Sequence, residues 1–425
     1  MRHLPTLLIA CLSACNADPH AQSPDRIART YTDDQGDIGV VVAGNDAFSW
    51  DLYRELATGD ENLFFSPFSV AAALGMTSAG AGSDTLAQLQ AALHVDLPAE
   101  AWHPAFGGLI DDLNGDNQRG YRLEIANRLF GQDGTPWAAD FLATCEDDWR
   151  APMEALDFIA DPDGARDHIN GWVSDRTEAR IPELLPPGII TADTRLVLAN
   201  AIYFVGTWWT QFDAVQTRPE PFTRIDGSEV EVEMMNLDLD QTTDDRVRAA
   251  YTDDAAIVRI PYEDDEVSAW IVLPYELDGL TAIEPQLTAD TFRDWIAPID
   301  SVGEPGNTSG MLSIPKLELR WQASLVPALQ ALGVVDAFDA GLADFSPMAD
   351  DGFAADFSVS DVVHQAWMKL DEQGTEATAA TAVVVNESVS ADLPLRCDHP
   401  FLLVIRDDLT GSLLFIARVM DPTAG

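Results

Sequence analysis

Basic charge is what this sequence has least of. Its 425 residues include 24 Lys and Arg against 71 Asp and Glu, and just two of the bases are lysines, Lys316 and Lys369. That balance argues against nucleic acid as a partner, because binding phosphates takes basic surface to release counterions. The acids are spread along the whole chain and read as a hydrated, solubilising surface rather than a single recruiting patch. Cysteine is scarce as well, at four residues, which gives no disulfide framework. No apolar run approaches the ~20 residues that a bilayer-crossing helix needs. The catalytic motifs GxSxG, HExxH and CxxC and the Walker glycine loop are all missing. His94, His103, His168, His364 and His399 are scattered, with no pair at metal-binding spacing, so no metal site is expected. An enzyme is thereby disfavoured, although a Ser/His/Asp triad assembled from remote positions stays open as a hydrolase alternative.

The chain opens with Met1, Arg2 and His3, followed by an apolar run from Leu7 to Leu12, the pattern of a short secretory signal. The run ends in Leu12-Ser13-Ala14-Cys15, which resembles a bacterial lipobox. Residues 1–14 are therefore expected to be a signal peptide, with Cys15 the acylated mature N-terminus and 15–40 a lipid anchor and polar tether. This reading puts the protein in the cell envelope, on its periplasmic or extracellular face, touching membrane through the lipid only. Two cysteines then remain in the folded body, Cys145 and Cys397, read as small buried hydrophobes, with a single bridge left open.

From Asn45 onward the pattern is helical, with Phe48, Leu52 and Leu56 on one face. Ser83-Asp84-Thr85 ahead of Leu86, Leu89 and Leu93 predicts a second, capped helix. Strand signals dominate later. Arg195 to Phe204 is a nearly continuous apolar run, as in a strand buried on both faces. Shorter strands are expected at Ile257–Ile260 and Ala269–Leu273, and a closing hairpin at Phe401–Ile405 and Leu413–Val419 around Asp407–Gly411. Helices come early and strands late, so the class is α+β, and nothing splits residues 41–425 into smaller domains.

Several segments, in order, resemble the serpin family. Asn62-Leu63-Phe64-Phe65-Ser66-Pro67-Phe68-Ser69-Val70 is similar to its opening motif. Asn200-Ala201-Ile202-Tyr203-Phe204 with Gly206-Thr207-Trp208 is similar to its central strand signature, apart from Val205 where lysine is usual. Asp398-His399-Pro400-Phe401 resembles its C-terminal signature, and Asn170–Val173 and Ala343–Ser346 agree further. The resemblance implies a large, mostly antiparallel central sheet, two smaller sheets, eight or nine helices and an exposed reactive loop. It also implies a shutter at Ser66, Ser69, Asn200 and His364, a breach at Trp208, and a hinge at Glu372, Gly374, Thr375, Ala377, Ala379 and Ala380.

The hinge also has a physical reading. A loop that must become a central strand needs small, uncharged residues on its inward face. Alternation from Thr375 places Thr375, Ala377, Ala379, Thr381, Val383 and Val385 on one face, with Gly374 as the pivot. The function this implies is suicide-substrate inhibition, in which a serine protease cleaves the loop, forms a covalent acyl-enzyme and is trapped as the loop inserts. A monomer without cofactor suffices for it. A non-inhibitory binding lipoprotein of the same fold is the alternative. Counting sixteen residues on from Glu372 puts the reactive bond after Ser388, and counting back from Pro400 gives Val389. Both are small, which favours elastase-like or subtilisin-like targets, with Glu387 keeping a glutamate-specific protease open.

Overall fold

The computed structural model describes residues 36–115, 121–240, 246–300, 308–354, 357–375 and 395–424. Its first helix, Asp37–Leu56, begins ahead of Asn45 and inside the expected tether. Asp37 in the first turn suits the positive end of the helix dipole, and buried Val41 and Val42 extend the apolar face upstream. In the helix Pro67–Ser78, Ser66 caps the N-terminus by accepting from the Ser69 N–H at 3.1 Å, and Pro67 takes the first turn. That helix is buried along nearly its whole length. The helix Ser83–Ala92 forms as expected but without the expected cap: its N-cap is Gly82, and the Ser83 hydroxyl instead donates to Asp344 at 2.6 Å. Thr85 joins the same contact by accepting from the Asp344 N–H, so the motif around Ala343–Ser346 is bound to this helix.

Sixteen strands, numbered along the chain, form three sheets among the described residues. The large sheet runs β11 (Leu317–Ser324), β12 (Val363–Asp371), β13 (Gly374–Thr375), β4 (Leu196–Thr207), β2 (Tyr121–Gln132) and β3 (Met153–Leu156). A second runs β1 (Leu63–Phe65), β16 (Leu413–Val419), β15 (Phe401–Asp407), β9 (Val267–Pro274), β8 (Ala255–Pro261) and β7 (Arg248–Tyr251). The third runs β14 (Leu395–Arg396), β10 (Met311–Pro315), β6 (Glu229–Asp238) and β5 (Arg218–Thr223). Neighbouring strands are antiparallel except β2 with β3 and β10 with β14. Nine α-helices accompany them among the described residues, so the α+β class stands. The helix Pro67–Ser78 lies between β4 of the large sheet and β16 of the second, joining the two across the core.

The strand expected to be buried on both faces is so only in part. Ala199 and Ala201–Phe204 of β4 are buried, but Leu196, Val197 and Leu198 are half-exposed. Cys145 and Cys397 are free and buried, as small hydrophobes, and burial pushes the Cys145 thiol up to about 12. No helix among the described residues is long and apolar enough to cross a membrane.

Candidate functional site: the seam of the large sheet

Strands β12 and β4 run parallel, and among the described residues no direct ladder joins them. They meet only through β13 at their upper ends. Gly374 pairs with Asp371 on one side and Thr207 on the other, and Thr375 pairs with Leu370 and Gly206. Glycine is required at 374. Its φ is +153°, and a Cβ there would stand 1.9 Å from the Gly206 carbonyl oxygen.

Around this mouth the side chains close tightly. Thr375 is 3% exposed, and its hydroxyl is hydrogen-bonded to the Tyr262 hydroxyl at 2.6 Å. The Tyr262 ring stacks on Trp208, with centroids 4.4 Å apart and planes at 14°. Trp208 donates from Nε1 to the Asp371 carbonyl at 3.0 Å and from its backbone N–H to the Gln373 carbonyl at 2.8 Å. The Glu372 carboxylate accepts from Lys316 Nζ at 2.7 Å and from the Thr217 hydroxyl at 2.8 Å. Burial alone would raise that carboxyl, but the bonds from Lys316 and Thr217 outweigh it and hold the group below its ordinary value.

Lower in the seam, His364 on β12 and Asn200 on β4 lie at one level, joined by a relay of hydrogen bonds. The Ser66 N–H donates to His364 Nε2 at 3.1 Å, so that nitrogen carries no proton. Burial pushes the imidazole down to about 4, which keeps it neutral. The Ser69 hydroxyl donates to Asn200 Oδ1, Asn200 Nδ2 donates to Asn127 Oδ1 at 2.6 Å, and Asn127 Nδ2 donates to the Trp149 carbonyl at 3.0 Å. At and below this level the seam is hollow. A cavity of about 640 Å³ opens there, lined by Val173, Leu184, Leu196, Leu198, Phe357 and Val363 among others. It explains why the lower half of β4 is not fully buried.

Part of the cavity wall is the helix Pro162–Arg176 and the segment that follows it. Asn170 pins that segment, donating to the Leu185 carbonyl and accepting from the Leu184 and Leu185 N–H groups. Gln322 on β11 donates to the Leu184 carbonyl at 3.0 Å, tying the segment to the far side of the seam.

The structure therefore brings together Ser66, Ser69, Asn200 and His364 in one relay, and Trp208, Glu372, Gly374 and Thr375 in one mouth. Ala377, Ala379, Ala380, Ser388, Val389 and Cys15 lie outside the described residues. Sequence reasoning missed Asn127, Thr217, Tyr262 and Lys316. Of these only Lys316 carries a signal, as one of two lysines in an acidic chain. Among the described residues no cluster of His, Cys, Asp and Glu is arranged to hold a metal.

A helix-buttressed sheet with a parted seam, entered by a two-residue strand, fits the family that the motifs suggested. The family model described as serpin (serine protease inhibitor) matches residues 43–422, so this chain belongs to the serpin family. It is 36% identical over 391 residues to serpin B6 of Macaca fascicularis, covering 91% of this chain and 100% of that one. It is 34% identical over 386 residues to the leukocyte elastase inhibitor of Xenopus tropicalis, covering 88% and 97%. A serpin-like protein of Methanosarcina acetivorans is 32% identical over 385 residues, covering 90% and 86%. Among solved structures, uncleaved ovalbumin matches with a TM-score of 0.77 and 25% identity over 90% of this chain and 100% of that one. A cleaved, loop-inserted ovalbumin mutant matches with a TM-score of 0.78 at the same identity and coverage.

Proposed function

We propose that this serpin inhibits a serine protease as a suicide substrate: the protease cleaves the loop, and the freed strand inserts between β12 and β4 while the acyl-enzyme is still intact. The observation that carries the reading is β13, where the hinge has begun a strand in a seam whose remaining length holds none among the described residues. Continued in the same register, the inserted strand would set Ala377 between Met368 and Phe204, Ala379 between Ala366 and Ile202, and Thr381 between His364 and Asn200. Met368, Ala366 and His364 are the buried face of β12, so the small residues of the hinge turn inward. Glu376, which follows β13, would turn the other way and come opposite Lys369. Ala380 shares that outer face opposite Ala201, which is packed under the helix Pro162–Arg176, and there too the side chain is small. Carried to the end of β4, the strand reaches Val385, twelve residues or about 40 Å from the mouth, a displacement that deforms the attached protease.

The bond after Ser388 or Val389 supports an elastase-like or subtilisin-like target, and the leukocyte elastase inhibitors among its relatives agree with a small primary pocket. The Cys15 motif supports a lipid anchor in the cell envelope, with 41–425 as the working domain. Incubation with pancreatic elastase and with subtilisin tests the reading. An SDS-stable complex and a released fragment starting at Val389 or Ser390 are expected. Cleavage with neither complex nor gain of heat resistance would instead leave a non-inhibitory binding protein.

A further inference from the structure

We propose that Tyr262 is a positioning residue for loop insertion: its hydroxyl holds Thr375 in the mouth of the seam, so that insertion starts from a strand already two residues deep. The inference rests on the insertion reading above and names a residue which that reading does not use. Tyr262 is fully buried, and its phenol must find a partner there or leave a polar group unsatisfied. The partner is the Thr375 hydroxyl, on a segment that has to travel. Withdrawal of the hinge would strand the phenol in a dry site, and that asymmetry biases the hinge inward.

The post itself is fixed. The Tyr262 N–H donates to the Val267 carbonyl, and the next N–H, of Glu263, donates to the Thr207 carbonyl at the upper end of β4. The ring is wedged between Trp208 and the edge of Phe204, 4.9 Å between centroids. Its alternative role is to fill that space, and phenylalanine would fill it equally well. The two roles therefore separate at a single oxygen atom.

The test is the partition of cleaved molecules between trapped complex and free cleaved inhibitor with elastase or subtilisin, together with the time taken to gain heat resistance after loop cleavage. Tyr262→Phe is expected to raise the ratio of free to trapped product about three- to tenfold, the effect of one buried hydrogen bond on a competing step. Thr375→Val should do the same, Thr375→Ser should stay near wild type, and the double variant Tyr262→Phe/Thr375→Val should be no worse than either single change. An unchanged ratio in Tyr262→Phe, or effects that multiply in the double variant, would overturn the proposal. Failure of the wild-type chain to gain heat resistance on cleavage would overturn the insertion reading first, and this one with it.

Discussion

At the upper end of the seam, β12 and β4 are bridged by two hinge residues, an ion pair and a buried phenol; at the lower end they flank a cavity of about 640 Å³ crossed by neutral side-chain hydrogen bonds. The upper end is filled and holds a charge. The lower end is hollow, and the imidazole buried at its top is kept neutral, with one ring nitrogen accepting. The two ends thus differ in packing and in polarity, and on the proposed function the lower one would receive the strand that the mouth admits.

The sharpest break in that comparison is Thr375→Arg. A guanidinium would have to enter a position that is 3% exposed, where the Thr375 hydroxyl now meets the Tyr262 phenol, and a buried unpaired charge is prohibitive. Inhibition should vanish while loop cleavage continues, seen as turnover without an SDS-stable band.

Acid should separate the two ends in order. A histidine held down to about 4 when folded, against 6.5 when free, takes up its proton only in the unfolded chain as pH falls between those values, so folding loses stability across that window. His364→Gln keeps an acceptor for the Ser66 N–H and does not titrate. It should lose less stability than wild type between pH 6.5 and 4, by up to about 3 kcal/mol, measured as unfolding midpoints in urea. The mouth responds later. The Glu372 carboxyl is depressed when folded, so its contribution is intact above its unfolded value and is lost only as pH falls through the lower folded one.

Leu198→Phe, pointed into the cavity, should stabilise the uncleaved form by about 1 kcal/mol and slow insertion, because the void that favours the strand is partly occupied. Differential scanning calorimetry of cleaved and uncleaved protein would show their gap narrowing. The smallest effect is expected from Lys316→Ala. The lysine is 40% exposed at its side chain, so loss of the pair with Glu372 should cost about 0.5 kcal/mol, read as a small fall in the melting point of the uncleaved form.

Much of this was legible in the chain because it is written in short segments. The spacing of Phe48, Leu52 and Leu56 announces the first helix, and the hinge motif puts Gly374 and Thr375 where the mouth of the seam is found. What stayed hidden depends on pairing across long sequence distance. Tyr262 meets Thr375 more than a hundred residues later, and Asn127 meets Asn200, with no local pattern to announce either contact. The helix Ser83–Ala92 shows the opposite failure. A good capping serine was present, but a tertiary partner, Asp344, claimed its hydroxyl. The apolar run of β4 was likewise read as uniformly buried, since hydrophobicity alone does not show that its lower half faces a cavity.

The second sheet has a consequence for how the molecule comes into being. Its edge strand β1, at Leu63–Phe65, finds its neighbour only in β16, at Leu413–Val419, and β16 in turn leans on β15. Strands far apart in the sequence thus lie side by side, with the hairpin of β15 and β16 inside the sheet rather than at its rim. Until the ribosome has released that hairpin, β1 has no ladder to join and the helix Pro67–Ser78 lacks one of its two walls. Assembly of this sheet therefore waits on a contact between distant segments, and a topology that closes such long loops is slow to fold.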